Sequence, residues 1–176
     1  MTITSSCGTH VYGTHIPMSS NIYQDLDFPV RKSCVLCRGH GFGYDAKSDD
    51  YKCIRIFIYS ADIQSQVHIY SFRSNTWKLM HIPYKLITEA DNYVRAPNGV
   101  FCNGALHWFA RTYGSSKDLL LAFNIGDEGI REIPQPENLG VENFGPRKHV
   151  DVLDRCICIL YSNSTMFEVW LMKDMG

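Results

Sequence analysis

The sequence predicts an all-β fold made of repeated four-stranded antiparallel units, on two observations. From Gly41 onward, short runs of aromatic and β-branched residues alternate with polar turns, and no amphipathic helix longer than about two turns stands out. Hairpin patterns also recur at intervals of about 50 residues. A four-stranded unit with that period is typical of propeller-like, kelch-like repeats.

Each predicted unit consists of two hairpins. One type, with a large aromatic residue before the turn, is predicted at 67–80, 119–134 and 167–176. A second type precedes each of these, and its clearest example turns at Asn103 and Gly104. Asn-Gly between hydrophobic runs is a strong hairpin signal, because both turn residues need a positive φ.

Both faces of the predicted strands carry apolar side chains. Side chains alternate across a strand, so Val67 and Ile69 point one way while His68 and Tyr70 point the other. A two-layer sandwich would leave one of these faces polar. We therefore expect sheets that stack on one another and are covered on both faces, as propeller blades are.

The pattern also predicts the domain organisation. Two units are complete, at 41–83 and 99–134, and a third at 149–176 ends inside its second hairpin. We therefore expect an incomplete repeat domain over 41–176, truncated at its C-terminus. Residues 1–40 are rich in Ser, Thr and Asn, and we expect them to form an irregular N-terminal segment.

Composition narrows the class of partner and the compartment. The 176 residues carry a net charge of −1 and no run of Lys and Arg, so no nucleic-acid partner is expected. No stretch approaches the roughly 18 apolar residues of a membrane span, and residues 1–20 lack the apolar core of a signal peptide. We expect a protein of the cytoplasm or nucleus without a membrane partner.

One cysteine pair has metal-ligand spacing. Cys34 and Cys37, followed by His40, could hold zinc if a fourth ligand came from Cys7, His10 or His15. A single CxxC without a second pair is more typical of free thiols. We predict no metal and no cofactor.

Features that resemble catalytic motifs have simpler explanations. His107 and Trp108 fall on opposite faces of a predicted strand, which favours a core or half-buried histidine. The acidic pairs Asp49-Asp50 and Asp127-Glu128 lie in turns, where solvated side chains are expected, rather than two carboxyl groups held across a cleft. We predict no catalytic residue and no enzyme.

The glycine-rich run 39–43 is not followed by a helix whose N-terminus could hold a phosphate. Its glycines more simply permit close backbone approach at a strand.

Five motifs, in the right order over 41–176, resemble those of plant F-box-associated domains (type 1). They lie in the following segments of the chain: Gly41–Asp45 with Asp49–Arg55, Val67–Trp77, Gly99–Trp108, Ala122–Glu128 and Phe167–Asp174. A single motif would be weak, whereas five in order make the resemblance specific.

The resemblance implies the substrate-recognition region of an SCF-type ubiquitin ligase, which directs target proteins to ubiquitination. S-locus F-box proteins of self-incompatibility belong to the same group. Family members contact the Skp-type adaptor and the cullin through an F-box, and residues 1–40 show no Leu-Pro-rich helical pattern of that kind. We therefore expect this chain to reach the ligase only through an F-box that it lacks.

Binding is expected on the long inter-strand loops near 84–98, 111–118 and 135–148. The candidate partner-binding residues, chosen as exposed side chains of the kinds that dominate interfaces, are Arg111, Tyr113 and Arg147.

Two other functions remain open at this stage. One is a carbohydrate-binding or glycosidase-like propeller domain, which a glycan array and a glycosidase screen would reveal. The other is a non-functional fragment, motivated by the missing F-box and the incomplete third unit. A non-functional fragment would be expected to aggregate through its unpaired strand edges.

Overall fold

The structure, a computed structural model, describes residues 35–59, 64–87, 98–135, 147–162 and 167–172. At residues 35–38, 59 and 147 it describes the backbone alone. The described residues form twelve strands and no helix. No segment of helix that could span a membrane occurs among them.

The first sheet is a four-stranded antiparallel meander. Its strands follow one another in chain order: β1 (Val35–Asp45), β2 (Asp50–Tyr59), β3 (Ser65–Ser71) and β4 (Thr76–Ile82). β1 carries an irregularity between Cys37 and Gly39, where the pairing register with β2 shifts. This sheet confirms the predicted four-stranded unit.

The second sheet repeats this plan with one difference. Its strands are β5 (Tyr84–Leu86), β6 (Val100–Cys102), β7 (Ala105–Thr112), β8 (Leu119–Asn124) and β9 (Ile130–Ile133). β5 and β6 both pair with the same edge of β7, at different points along it. The two short strands therefore share the position that β1 alone occupies in the first sheet.

β5 and β6 run in one line along β7. Tyr84 pairs with Thr112 and Leu86 with Ala110, and the chain then leaves the sheet at Ile87, whose N–H donates to Phe109 O. It returns at Val100 and pairs with β7 again from there to Cys102. The two strands thus act as one strand that is interrupted between 87 and 100.

The third sheet contains three strands in chain order. They are β10 (Arg147–Leu153), β11 (Cys156–Ser162) and β12 (Phe167–Met172). All neighbours are antiparallel, as in the other two sheets. Residues 173–176, which follow the outgoing strand of the predicted second hairpin, lie outside the described residues.

The three sheets stack, and two apolar clusters fill the spaces between them. Alternation sends Leu106 and Trp108 of β7 to one face and Ala105 and Phe109 to the other, and all four are buried. The cluster between the first and second sheets contains Ile54, Ile56, Val67, Ile69, Leu106, Trp108, Leu121 and Phe123. The cluster between the second and third contains Ala105, Phe109, Leu120, Ala122, Val150, Ile157, Ile159 and Tyr161.

Burial of both faces of the middle sheet confirms the prediction of stacked units. Residues 105–110 of β7 are buried without interruption, whereas a sheet with one solvated face would show alternate exposed positions. The fold is thus all-β with propeller-like four-stranded antiparallel units that do not close into a ring in the described residues.

Glycines in β1 let the second sheet approach closely. A Cβ atom added at Gly41 would lie 2.7 Å from Leu106 Cδ1, and one at Gly43 would lie 2.5 Å from Ile125 Cδ1. Real carbon atoms do not come this close, so a side chain at either position would force buried side chains of the second sheet to shift. The backbone of β1 thus approaches the second sheet closely, as predicted, and the atoms that lie against Gly41 and Gly43 belong to side chains.

The hairpin turn at Asn103 and Gly104 adopts the left-handed backbone that its sequence predicts, and the turn at Asp154 and Arg155 adopts the same backbone. Asn103 and Gly104 have φ values of 48° and 74°, and Asp154 and Arg155 have values of 49° and 61°. Two consecutive residues with positive φ make a type I′ turn, which matches the twist of the flanking strands.

The sheets include residues that the sequence placed in irregular segments. Residues 35–40 belong to β1, although they fall in the segment expected to be irregular. Tyr84–Leu86 forms β5 inside the predicted loop 84–98. The remainder of the N-terminal segment, 1–34, lies outside the described residues. Short strands at a unit boundary were missed because three residues are too few to show alternation.

Candidate functional site

The stacked sheets have two different ends. At one end, here the turn end, lie the short turns 46–49, 72–75, 103–104, 125–129 and 154–155. The opposite end is called the loop end here. β7 ends there, β8 and β10 begin there, and the longer connections that were predicted to bind a partner start and finish there. Contacts between neighbouring sheets show that equivalent ends lie together.

One contact at each end illustrates this arrangement. At the turn end, Cys102 Sγ donates to the carbonyl oxygen of Arg155 at 3.1 Å, which joins the turns of the second and third sheets. At the loop end, Lys148 Nζ lies 2.7 Å from Asp118 Oδ2, which joins the beginnings of β10 and β8. Arg111, Tyr113 and the start of β10 all lie toward this loop end.

Arg111, a predicted binding residue, lies in β7 rather than in a loop, and its side chain is 45% exposed. Its Nε donates to Asp118 Oδ1 at 2.5 Å. The two residues therefore close the connection between β7 and β8 with a charged hydrogen bond, and part of the Arg111 side chain stays exposed.

Asp118 also binds the third sheet. Burial alone would raise the pKa of its carboxyl group, but hydrogen bonds from Arg111 and Lys148 outweigh burial and hold that pKa below its ordinary value. The carboxylate is therefore charged at neutral pH and holds two cations from different sheets.

Tyr113 lies on the other side of the loop end, beside the first sheet. Its hydroxyl group is 3.3 Å from Ser65 Oγ, and Ser65 in turn donates to Tyr84 O at 2.6 Å. Ser65 is fully buried, whereas Tyr113 is half-buried. The ring of Tyr113 therefore sits at the seam between two sheets with part of its surface accessible.

Arg147 is the first residue of β10, where it pairs with Ser162. The sequence placed it in a loop, so its assigned secondary structure is corrected to strand. The structure describes only its backbone, so its proposed role in binding stays a prediction. The same holds for the loop stretches 88–97 and 136–146, which lie outside the described residues.

Sequence reasoning missed the polar residues that organise this end. Asp118, Gln135, Lys148 and Tyr161 are linked by hydrogen bonds and by a cation–π contact of Lys148 with the Tyr161 ring, 5.7 Å from its centroid. They lie up to 43 positions apart in the sequence, and each is an ordinary polar residue. No short-range pattern could have brought them together.

The turn end contains a second charged cluster. Lys52 Nζ is 3.1 Å from Asp45 Oδ2, 2.9 Å from Glu128 Oε1 and 2.9 Å from the carbonyl oxygen of Ile125. The exposed Lys78 binds the other oxygen of Glu128. Each charged group of this cluster is bound by an oppositely charged group of the same cluster. Because Lys52 belongs to the first sheet and Glu128 to the second, the cluster ties the two sheets together.

This cluster corrects the expectation that both acidic pairs are solvated. Asp49 and Asp127 are exposed as expected. Asp50, in contrast, is buried and accepts hydrogen bonds from Tyr51 N and Arg73 N. Glu128 binds two lysines, and its side chain is only 17% exposed. Apart from Tyr51, these partners lie far away in the sequence, so sequence reasoning could not see them.

His107 is a core histidine, as predicted. It is 1% exposed, and its Nδ1 lies 3.0 Å from Val100 O, while its Nε2 has no hydrogen-bond partner in the described part of the chain. Burial lowers the pKa of His107 and favours the neutral ring. Neither a nucleophile nor a carboxylate contacts it among the described side chains, so it supports packing.

The CxxC pair stays untested. Cys34 and the side chain of Cys37 lie outside the described residues, and His40 is exposed. Among the side chains that are described, no group of three or more His, Cys, Asp or Glu is placed to hold a metal ion. Cys158 is buried and Cys156 is half-buried in the third sheet.

The architecture is therefore that of a propeller-type domain with stacked four-stranded antiparallel sheets. The family of the F-box associated beta propeller domain matches residues 29–176. The chain belongs to this family, as its motifs predicted.

Curated relatives agree. An F-box/kelch-repeat protein of Arabidopsis thaliana is 28% identical over 144 residues, which cover 81% of this chain and 37% of that protein. The F-box protein CPR1 of the same plant is 27% identical over 171 residues, which cover 85% of this chain and 40% of that protein. The chain thus spans about two fifths of the length of these relatives. No solved structure matches the chain significantly.

Proposed function

We propose that this chain belongs to the target-recognition region of an F-box protein that works in an SCF-type ubiquitin ligase. The observation that carries the proposal is the family match over 29–176, together with relatives that are F-box proteins. The domain itself is a binding module and takes no catalytic part in ubiquitin transfer. A target protein is its direct partner.

The loop end is the surface that we assign to the target. Arg111 and Tyr113 expose part of a guanidinium and part of an aromatic ring there, which are the groups that most often dominate protein interfaces. The turn end is a less suitable surface, because its turns are short and its lysine–carboxylate cluster satisfies its own charges.

Contact with the Skp-type adaptor and the cullin is assigned to an F-box, a module distinct from the matched domain. The ligase complex works in the cytoplasm or nucleus, and we propose that location for this protein. The thiols of Cys102, Cys156 and Cys158, which form no disulfide, support a reducing compartment.

The test compares two double variants that are matched in chemistry. Arg111→Ala with Tyr113→Ala removes a cation and an aromatic ring at the loop end. Lys47→Ala with Tyr44→Ala removes the same two kinds of group, also exposed, at the turn end. Each chain is used to capture proteins from plant extract treated with a proteasome inhibitor, and the captured proteins are quantified by mass spectrometry.

We expect the wild-type chain and the turn-end variant to capture the same protein, and the loop-end variant to lose it. That protein should also become ubiquitinated in a reconstituted ligase containing the chain fused to an F-box. Capture of no stable partner by the wild-type chain would contradict the proposal. Equal loss in both variants would contradict the assignment of the loop end.

A further inference from the structure

Asp118 holds together three separate parts of the loop end. It lies immediately before β8, and its side chain is 16% exposed. One carboxylate oxygen accepts a hydrogen bond from Arg111 at the end of β7, and the other accepts one from Lys148 at the beginning of β10. The first bond spans the connection 112–117, and the second crosses to the third sheet.

The backbone of Asp118 makes a third connection. Its carbonyl oxygen accepts a hydrogen bond from Gln135 Nε2 at 3.0 Å, and Gln135 Oε1 accepts one from the Tyr161 hydroxyl group at 3.2 Å. Gln135 lies where the chain leaves the second sheet, and Lys148 lies where it has just entered the third. Both ends of the connection between the two sheets are therefore bound to one residue.

The hydrogen bonds from Arg111 and Lys148 to the side chain of Asp118 depend on its negative charge. Its pKa is held below the ordinary value, so the carboxylate is ionised at neutral pH. Burial raises the pKa of Tyr161 to about 12, with a further contribution from the Asp118 charge, so the phenol keeps its proton and can donate to Gln135. Hydrogen bonds to a charged group are about twice as strong as neutral ones.

We infer that Asp118 is the positioning residue of the target-binding surface. It fixes the connection 112–117 and the ends of the connection between the second and third sheets in one arrangement before a target binds. The inference rests on the proposed function, since it assigns the loop end to target binding. A surface that is already ordered loses less conformational entropy when a target binds, so it binds that target more tightly.

The chain offers a matched control for the test. Glu128 at the turn end also binds two cations, Lys52 and Lys78, and its side chain is 17% exposed, close to the 16% of Asp118. Asp118→Asn and Glu128→Gln each remove one negative charge and preserve the size of the side chain. Lys148→Met is a third variant, which removes the bond from Asp118 to the third sheet, together with the cation–π contact of Lys148 with Tyr161, and leaves Asp118 in place.

Hydrogen exchange of backbone amides measures the effect without any ligand. We expect Asp118→Asn to speed exchange at 111–118 and 147–152 by about tenfold and to leave 124–130 as in the wild-type chain. Lys148→Met should reproduce the increase at 147–152, and Glu128→Gln should speed exchange at the turn end only. Unchanged or uniformly increased exchange in Asp118→Asn would overturn the inference.

Capture from plant extract supplies the second measurement. Asp118→Asn should capture the wild-type chain's partner with about tenfold lower yield, while Glu128→Gln captures it normally. Normal capture by Asp118→Asn, despite faster exchange, would overturn the positioning role. Failure of the wild-type chain to capture any partner would overturn the proposed function as well. This outcome can be distinguished from failure of the inference alone, because the exchange measurement does not depend on a partner.

Discussion

The amino group of Lys52 on β2 lies 2.9 Å from Glu128 Oε1, which belongs to a turn 76 residues further along the chain. The same amino group contacts Asp45, so one buried cation binds two carboxylates from two sheets. The attraction of both carboxylates outweighs burial and raises the pKa of Lys52, so the amino group stays protonated at neutral pH. This contact holds the turn end of the first sheet against the second.

Replacement of this cation should be costly. Lys52→Met would leave Asp45 buried without its cation, and we expect a loss of about 3 kcal/mol in the free energy of unfolding. Urea denaturation followed by circular dichroism would measure it. The control is Lys78→Met, which removes a lysine whose side chain is 64% exposed and should cost about 1 kcal/mol or less. Equal losses in the two variants would show that the buried contact has no special weight.

The same cluster predicts instability in acid. Burial alone would raise the pKa of Asp45, but hydrogen bonds from Ser48, Lys52 and the Lys47 backbone hold it at about 2, below its ordinary 3.8. The pKa of Glu128 is also held below its ordinary 4.5, because the bonds from Lys78 and Lys52 outweigh burial. A carboxyl group with a lower pKa in the folded state stabilises the fold above its unfolded pKa.

The stabilisation should therefore be complete above about pH 5 and should decline as the pH falls towards 2. Urea denaturation at a series of pH values would measure the decline. In Lys52→Met the slope should be shallower, because Asp45 has lost the cation that favours its charged form. A wild-type chain that is equally stable at pH 5 and pH 2 would contradict this prediction.

Close packing of Trp108 against Gly99 predicts a large effect of a single methyl group. A Cβ atom at position 99 would lie 2.3 Å from Cζ2 and 2.5 Å from Cε2 of the Trp108 indole, which is rigid and buried. We expect Gly99→Ala to lower the free energy of unfolding by about 1–3 kcal/mol.

Urea denaturation would measure this loss, and the displaced indole should also change the tryptophan fluorescence of the folded state. The control is Gly129→Ala, where the nearest atom is Asp127 Oδ1 at 3.0 Å, in an exposed carboxylate that also accepts a hydrogen bond from Gly129 N. That variant should lose less than about 1 kcal/mol. A Gly99→Ala variant as stable as the wild-type chain would show that the indole can move aside freely.

The turn between β10 and β11 predicts a stabilising substitution. Arg155 has a φ of 61°, a conformation that costs an L-residue with a side chain roughly 1–2 kcal/mol. Arg155→Gly should remove that strain, and the greater freedom of glycine in the unfolded chain offsets part of the gain. We expect a net stabilisation of about 0.5–1 kcal/mol, measured as a higher melting temperature.

Arg155→Ala separates backbone strain from loss of the side chain. It removes the same exposed guanidinium but keeps the Cβ atom, so no gain is expected. If alanine stabilised the chain as much as glycine, the strain argument would be wrong.

Features that depend on neighbouring residues were predictable from the sequence. The turn at Asn103 and Gly104 needs two adjacent residues that tolerate positive φ, and the alternation of Val67 and His68 needs only a strand. These local signals, repeated at about 50 residues, were enough to predict stacked four-stranded sheets.

The candidate site was predictable only in part. The sequence placed binding near 111–118, and the structure places Arg111 and Tyr113 at the loop end, with the start of β10 beside them. The sequence could not show that Asp118 binds Lys148, because an ion pair between different sheets produces no periodic pattern in the sequence. Arg111 was also misplaced in a loop, since polar residues at the end of a strand look like the start of a loop.

The interrupted strand formed by β5 and β6 has an evolutionary consequence. The chain departs beside Phe109 and returns beside His107, two residues apart on β7, so the two stems are separated by about 7 Å. β5 and β6 each pair with β7 independently, so neither pairing depends on the number of residues between the two strands. Insertions or deletions there should leave the second sheet intact, which makes this position suited to diversification between paralogues.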